Sequence, residues 1–276
     1  MSAMTPAGTP AATPAATPAA NDVPARRVPP LGAFNVTLLR IELFRMLRNR
    51  RTIVFTLVLP AALLLTVGNQ DGWDDKAGAG NVAAYILISM ALYGAALTAA
   101  ATGSMVAMER ALGWSRQLRL TPLHPIAYIL TKALVALCMG ALAIAMVNLV
   151  GVLQGRAVMP TGVWVGAAFV TLFCTMTFAA LGVFIGYLVP GENAMQILGP
   201  GLALLSFLGG VFIPIDQYAE VVRQVAYWTP MYGVAEVARS PLTHELPWFA
   251  IVNAVGWFAV FVLGAAWRMS KDTARV

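Results

Sequence analysis

The chain has 276 residues, 59% apolar and only 11% charged, against about a quarter charged in soluble domains, which excludes an ordinary water-soluble fold. Its mean hydropathy is +0.74, and its formal net charge is +6, from 18 Lys and Arg against 12 Asp and Glu. The placement of those cations along the chain accounts for the excess without a nucleic-acid partner.

Residues 1–30 are low-complexity, with Thr-Pro recurring every four residues at Thr5, Thr9, Thr13 and Thr17. Proline at that density blocks helix and sheet and nothing there builds a core, so this part reads as a disordered Thr/Pro/Ala-rich tail. It has neither the early positive charge nor the apolar stretch of a signal peptide. Phe34–Arg51 differs: at helical spacing Val36, Leu39, Leu43, Met46 and Leu47 share one face, while Asn35, Glu42, Arg45 and Arg48 lie elsewhere. A basic amphipathic helix just ahead of an apolar run reads as an interfacial helix on the inner leaflet.

Six apolar runs follow, at Ile53–Val67, Val82–Met108, Ala133–Leu153, Val163–Val189, Ala194–Ile213 and Phe249–Trp267. A bilayer core needs about 20 apolar residues per helix, so the first run is short and the second long enough to tilt. The runs are continuous rather than alternating, which predicts helices and not barrel strands. All but four of the 18 Lys and Arg fall on one side of the resulting topology. Those four are Lys76, Arg156, Arg223 and Arg239. Arg26 to Arg51, then Arg110, Arg116, Arg119 and Lys132, and finally Arg268, Lys271 and Arg275 occupy the other side. Lys and Arg are retained in the cytoplasm, so both termini are predicted cytoplasmic in an inner-membrane, multi-pass protein. Cys138 and Cys174 both fall within spans and read as small apolar filler.

Several chemistries are missing. No G-x-x-x-x-G-K-[ST] loop occurs, so the chain lacks a phosphate cradle of the P-loop kind. His124 and His244 are the only histidines, too few for a haem pair or zinc cluster, and no Ser, His and acid set is positioned for nucleophilic catalysis. Charges inside the spans would mark an ion or proton path. Glu109 and Lys132 are placed at span edges, and Asn148 and Gln196 are the main interior polar groups, read as interhelical hydrogen-bonding residues. Asp71, Asp74 and Asp75 form an acidic loop on the outer face. Such loops hold Mg²⁺ in some lipid-modifying membrane enzymes, but this one stands alone, without a second Asp-rich motif, and reads as a solvated loop.

Two loops carry more. After the second run, Glu109, Arg110, Gly113, Trp114, Arg116, Arg119 and Pro122 outline a short helix presented to a partner, since Trp and Arg are common interface anchors. On the opposite side, Gly209-Gly210 with Phe212 and Pro214 break the fifth run. An apolar stripe of Tyr218, Val221, Val222 and Val225 precedes Pro230, Tyr232, Glu236 and Arg239. That pattern suits a helical hairpin dipping back into the outer leaflet, with Glu236 and Arg239 spaced to pair.

From Phe34 to the C-terminus the chain resembles the membrane subunit of an ABC-2 type exporter, a permease family that includes drug, polysaccharide and lipid exporters. Glu109-Arg110, Gly113, Leu118-Arg119 and Thr121-Pro122 resemble its cytosolic coupling helix. Gly210, Phe212 and Pro214 resemble the end of its fifth span, and Pro230, Tyr232, Glu236 and Arg239 its outer re-entrant stretch. The resemblance implies an all-α permease domain over residues 31–276, with about six transmembrane helices, an N-terminal interfacial helix and an outer re-entrant hairpin before the last span. It implies a non-enzymatic transport subunit that binds no cofactor itself and works beside two P-loop ATPase subunits carrying ATP and Mg²⁺. A second permease copy or paralogue would complete the pathway, with membrane lipid around it. The interfacial helix (Leu39, Leu43, Arg45, Arg48) and the 109–123 loop would be its docking surfaces, and an amphipathic or lipid-like cargo is expected. The alternatives are a Mg²⁺-dependent lipid-modifying enzyme using Asp71, Asp74 and Asp75, and a membrane scaffold or another kind of carrier.

Overall fold

The computed structural model describes residues 36–67, 72–113, 125–189 and 193–273. The low-complexity tail, Asp71, and residues 114–124 with Trp114, Arg116, Arg119 and Pro122 lie outside them. Helix α1 (Val36–Arg48) is followed by the short α2 (Arg50–Ile53), a π-helical turn (Val54–Val58) and α3 (Leu59–Val67). A two-stranded antiparallel hairpin, β1 (Lys76–Ala77) and β2 (Gly80–Asn81), leads into α4 (Val82–Ala111). Then come α5 (Pro125–Gln154), α6 (Thr161–Leu188), α7 (Asn193–Leu208), α8 (Glu220–Tyr227), α9 (Pro230–Thr243) and α10 (Trp248–Thr273).

Among the described residues four helices are long and apolar enough to cross a membrane: α4, α5, α6 and α10. Two shorter apolar helices, Thr56–Thr66 and Asn193–Leu208, stand where the first and fifth runs were expected. The fifth run ends at Leu208 instead of Ile213 because Gly209-Gly210 follows, with Gly210 at φ +76°, where a side chain is strained. The third begins at Pro125, eight residues before the expected Ala133, with proline at the first helical position where its missing N–H costs nothing. Lys132 therefore lies inside a helix and not at a loop edge.

Helix α4 is the centre of the molecule, with the most enclosed membrane-length window of the four. Its composition explains this: Ala and Gly dominate, so neighbouring backbones come close. The tightest seam is with α6, where a Cβ on Gly182 would lie 2.2 Å from the carbonyl oxygen of Ala100 and one on Gly103 2.4 Å from that of Ala179. The buried hydroxyls of Thr98 and Thr102 donate to carbonyls one turn back in α4, so they cost little in an apolar setting. Between α5 and α6, Trp164 Nε1 donates to Asn148 Oδ1, the expected interhelical bond. Gln196, expected to make another, is exposed on α7.

One end of the bundle is stapled by Asn81. Its side chain caps α4 by accepting from Ala84 N at 3.0 Å, also accepts from Val158 N at 3.0 Å, and donates to Arg156 O at 2.8 Å. Ala79 N donates to Leu242 O at 2.8 Å, which ties the hairpin to the end of α9.

Candidate functional site

Two charged clusters sit at opposite ends of α4. Glu109 near its C-terminus and Ser89 near its N-terminus are twenty residues apart, about 30 Å at 1.5 Å per residue, the thickness of a bilayer core.

The first cluster joins α1, α4 and α5. Lys132 Nζ lies 2.9 Å from Glu42 Oε2 and also contacts Glu109 Oε1. Arg45 Nη1 reaches the same Glu109 oxygen at 3.1 Å, and the Tyr128 hydroxyl donates to Glu109 Oε2. Glu42, Glu109 and Lys132 are 6%, 3% and 4% exposed, whereas Arg45 is half-open to its surroundings. Two carboxylates face two cations, so the group is neutral as a whole, which is what burial demands. The stripe of Leu39, Leu43 and Met46 turns the same way, against Val135 and Met139 of α5. Arg40, Ile41, Phe44 and Arg48 form the exposed face of α1.

Arg110, one residue beyond this cluster, spans to α6. Its Nη1 donates to the carbonyls of Gly186 and Tyr187, each at 3.3 Å, and its guanidinium carbon lies 5.1 Å from the centre of the Tyr187 ring. A cation there also meets the negative end of the α6 dipole. Gly113 then turns the chain at φ +71° as α4 ends, a position suited to glycine. The start of the 109–123 loop is thus held to α1, α5 and α6 at once.

The second cluster centres on Arg239, 1% exposed. Thr229 caps α9 and Pro230 opens it, so that its apolar face packs into the core with Arg239 among the buried residues. Its Nη2 donates to Glu236 Oε1 at 2.8 Å, its Nη1 to Gly210 O at 2.9 Å and Ser89 Oγ at 3.4 Å, and its Nε to Ala235 O at 3.2 Å. The guanidinium lies 4.4 Å from the Tyr85 ring centre. Phe212 packs edge-on against Tyr93 at 5.0 Å, and Tyr232 against Tyr227 at 5.0 Å. Pro214 caps the 3-10 turn Ile215–Gln217. Gly210, Phe212, Glu236 and Arg239 therefore gather where α4, α9 and the end of α7 meet, whereas Tyr232 packs beside α8 and α10, against Tyr227 and Phe249. Val221, Val222 and Val225 of the expected apolar stripe are exposed on α8.

Replacing Arg239 by Leu is expected to cost about 3–5 kcal/mol, because Glu236 and the Gly210 carbonyl lose a buried donor. Arg239→Lys should recover only part of this, since one ammonium cannot reproduce the planar fork. Thermal melting in mild detergent reads both, and equal melting of Arg239→Lys and wild type would contradict the assignment.

Glu42, Tyr128 and Lys132, and on the other side Tyr85 and Ser89, are the functional candidates that the sequence reading did not gather. Glu42, expected off the apolar face, is instead buried beside it with Met46; a signal existed, since Glu42 comes three residues after Leu39 and four before Met46, so an acid interrupts an apolar stripe. Its buried partner Lys132 is 90 residues away and no local pattern names it. Asp74 and Asp75 are exposed in the turn before β1, and Asp71 lies outside the described residues.

Comparison with known proteins places this architecture. Residues 35–243 match the family model of the ABC-2 type transporter. The chain is also 25% identical over 238 residues to the putative transport permease YvfS of Bacillus subtilis (strain 168), an alignment covering 84% of this chain and 96% of that one.

Proposed function

Because the chain belongs to the ABC-2 type transporter family, we propose that it is the membrane permease of an ATP-binding cassette exporter that carries an amphipathic or lipid-like cargo across the cytoplasmic membrane. Energy comes from two separate P-loop ATPase subunits holding ATP and Mg²⁺, consistent with the lack of any such motif in this sequence. A second copy or a paralogue completes the pathway. The two shorter apolar helices act as spans beside the four long ones, giving six, with both termini cytoplasmic as the basic residues require. The outer α8–α9 pair is the re-entrant hairpin.

The observation that carries the reading is the clamp at Glu109. It fixes the N-terminal helix, through Glu42 and Arg45, to the point where the chain leaves α4 for the basic 109–123 loop. An ATPase pair closing on that loop and on α1 moves one rigid body, and the long helices carry the displacement 30 Å to the Arg239 cluster.

The test is to purify the chain from its native membrane in mild detergent and identify what accompanies it. A stoichiometric P-loop ATPase that remains bound, but whose activity no longer responds to the permease in Arg116→Glu/Arg119→Glu, supports the reading. Absence of any ATPase in two detergents overturns it. Pro230→Ala is expected to lower export while the ATPase stays docked, and lost docking would mean that the topology is inverted.

A further inference from the structure

Helices α5 and α10 both pack on α6 and leave a cleft between them whose floor is Gly103 of α4. The cavity measures about 240 Å³, against about 150 Å³ for an engineered apolar cavity that stays dry and takes up benzene. Its walls are apolar. Lys132 lines it with the alkyl stem while Nζ is engaged by Glu42 and Glu109, and Thr175 Oγ1 donates to Leu172 O at 2.6 Å. Water has almost nothing to bind there.

The length and position of the cleft point to its occupant. On α6 it runs from Thr175 to Tyr187 and on α10 from Phe258 to Met269. At 1.5 Å per residue each wall is about 17 Å long, close to half of a 30 Å bilayer core. The cleft thus spans one leaflet, the one on the Glu109 side. Its rim at that level is cationic: Arg110 stands over Tyr187, and Arg268 adjoins Met269. The exposed Trp267, with Lys271 Nζ 3.9 Å from its ring centre, marks the headgroup level. Glu42 and Glu109, the acids of the adjoining cluster, are buried and paired.

We propose that this cleft is a binding site for one acyl chain of an anionic phospholipid from the Glu109-side leaflet, with its phosphate at the basic rim. The inference rests on the cavity and its rim and stands apart from the identity of the cargo. Because Lys132 is shared, a seated chain keeps water from the ion pairs that hold α1 to α4.

The full-length protein is placed in nanodiscs of phosphatidylcholine and phosphatidylglycerol, with a trace of phosphatidylglycerol carrying a mid-chain diazirine, and adducts are mapped after irradiation. The expected result is adduct formation at Ala136 and Ala179, inside the cleft, several-fold above that at the outward-facing Val255 and Leu263. Ala180→Phe/Ala266→Phe, which fills the cleft, should cut the inner adducts about tenfold and leave the outer ones unchanged. Inner adducts no stronger than outer ones in the wild type, or inner adducts that persist in a folded filled variant, overturn the proposal. The wild-type map decides alone if the filled variant does not fold.

Discussion

Lys132→Met is expected to destabilise the protein by about 3–5 kcal/mol, the usual cost of removing one partner from a buried ion pair. The residue is 4% exposed and holds both Glu42 and Glu109, so its loss leaves two desolvated carboxylates short of a cation. Arg45 compensates only in part, since it is 3.1 Å from Glu109 but 3.9 Å from Glu42 and itself half-open to its surroundings. The double variant Lys132→Met/Glu42→Gln should regain most of the stability, because Glu109 keeps Arg45 and Tyr128 and a neutral amide costs less to bury. Under the proposed function it should not regain communication with a partner ATPase, because the direct tie from α1 to α5 stays broken. Melting temperature and permease-stimulated ATPase activity separate the two effects. If the double variant melts no higher than Lys132→Met, the charges are not the reason for the loss.

Gly182→Leu is expected to abolish the folded protein. A Cβ at that position would sit 2.2 Å from the Ala100 carbonyl oxygen and 2.8 Å from its carbonyl carbon. Those atoms belong to backbone, which cannot rotate away as a side chain does. Helices α4 and α6 must separate, and every buried contact of α4 is loosened with them. Gly182→Ala should already cost about 1–3 kcal/mol or more by overpacking. The control is Gly256→Ala on α10, where a Cβ meets nothing within 4 Å. It should be neutral or slightly stabilising, since Ala favours a helix over Gly by about 1 kcal/mol. Size-exclusion profiles and melting of the three variants test the seam, and a monodisperse Gly182→Leu would refute it.

What was legible in the sequence follows from what is local. Continuous apolar runs located α4, α5, α6 and α10, because a helix in lipid needs only its own length and composition. Gly209-Gly210 and Pro230 marked real breaks, since φ restrictions act on single residues. Pairing across the bundle was not legible. The sequence puts Lys132 at a span edge, where a lysine normally stands, and only its partners Glu42 and Glu109 explain its burial inside α5. Arg239 was expected to pair with Glu236, three residues away, and does, but its bonds to Gly210 and Ser89 join segments 29 and 150 residues apart. Gln196 shows the converse, a polar residue in an apolar run whose side chain turns outward.

The enclosure of α4 has a consequence for biosynthesis. Its membrane-length stretch is the least hydrophobic of the four, and the helix carries Ser89, Thr98, Thr102 and Glu109. The ribosome delivers it before α5, α6 and α9 exist, so it meets acyl chains first on surfaces that the finished molecule hides from them. Its hydroxyls survive that interval by bonding to their own helix, but Glu109 has only the half-open Arg45 of α1 as a cation until Lys132 arrives. Damaging substitutions on α5 and α6 are therefore expected to be felt first during assembly, through discarded nascent protein rather than lost activity of the finished molecule.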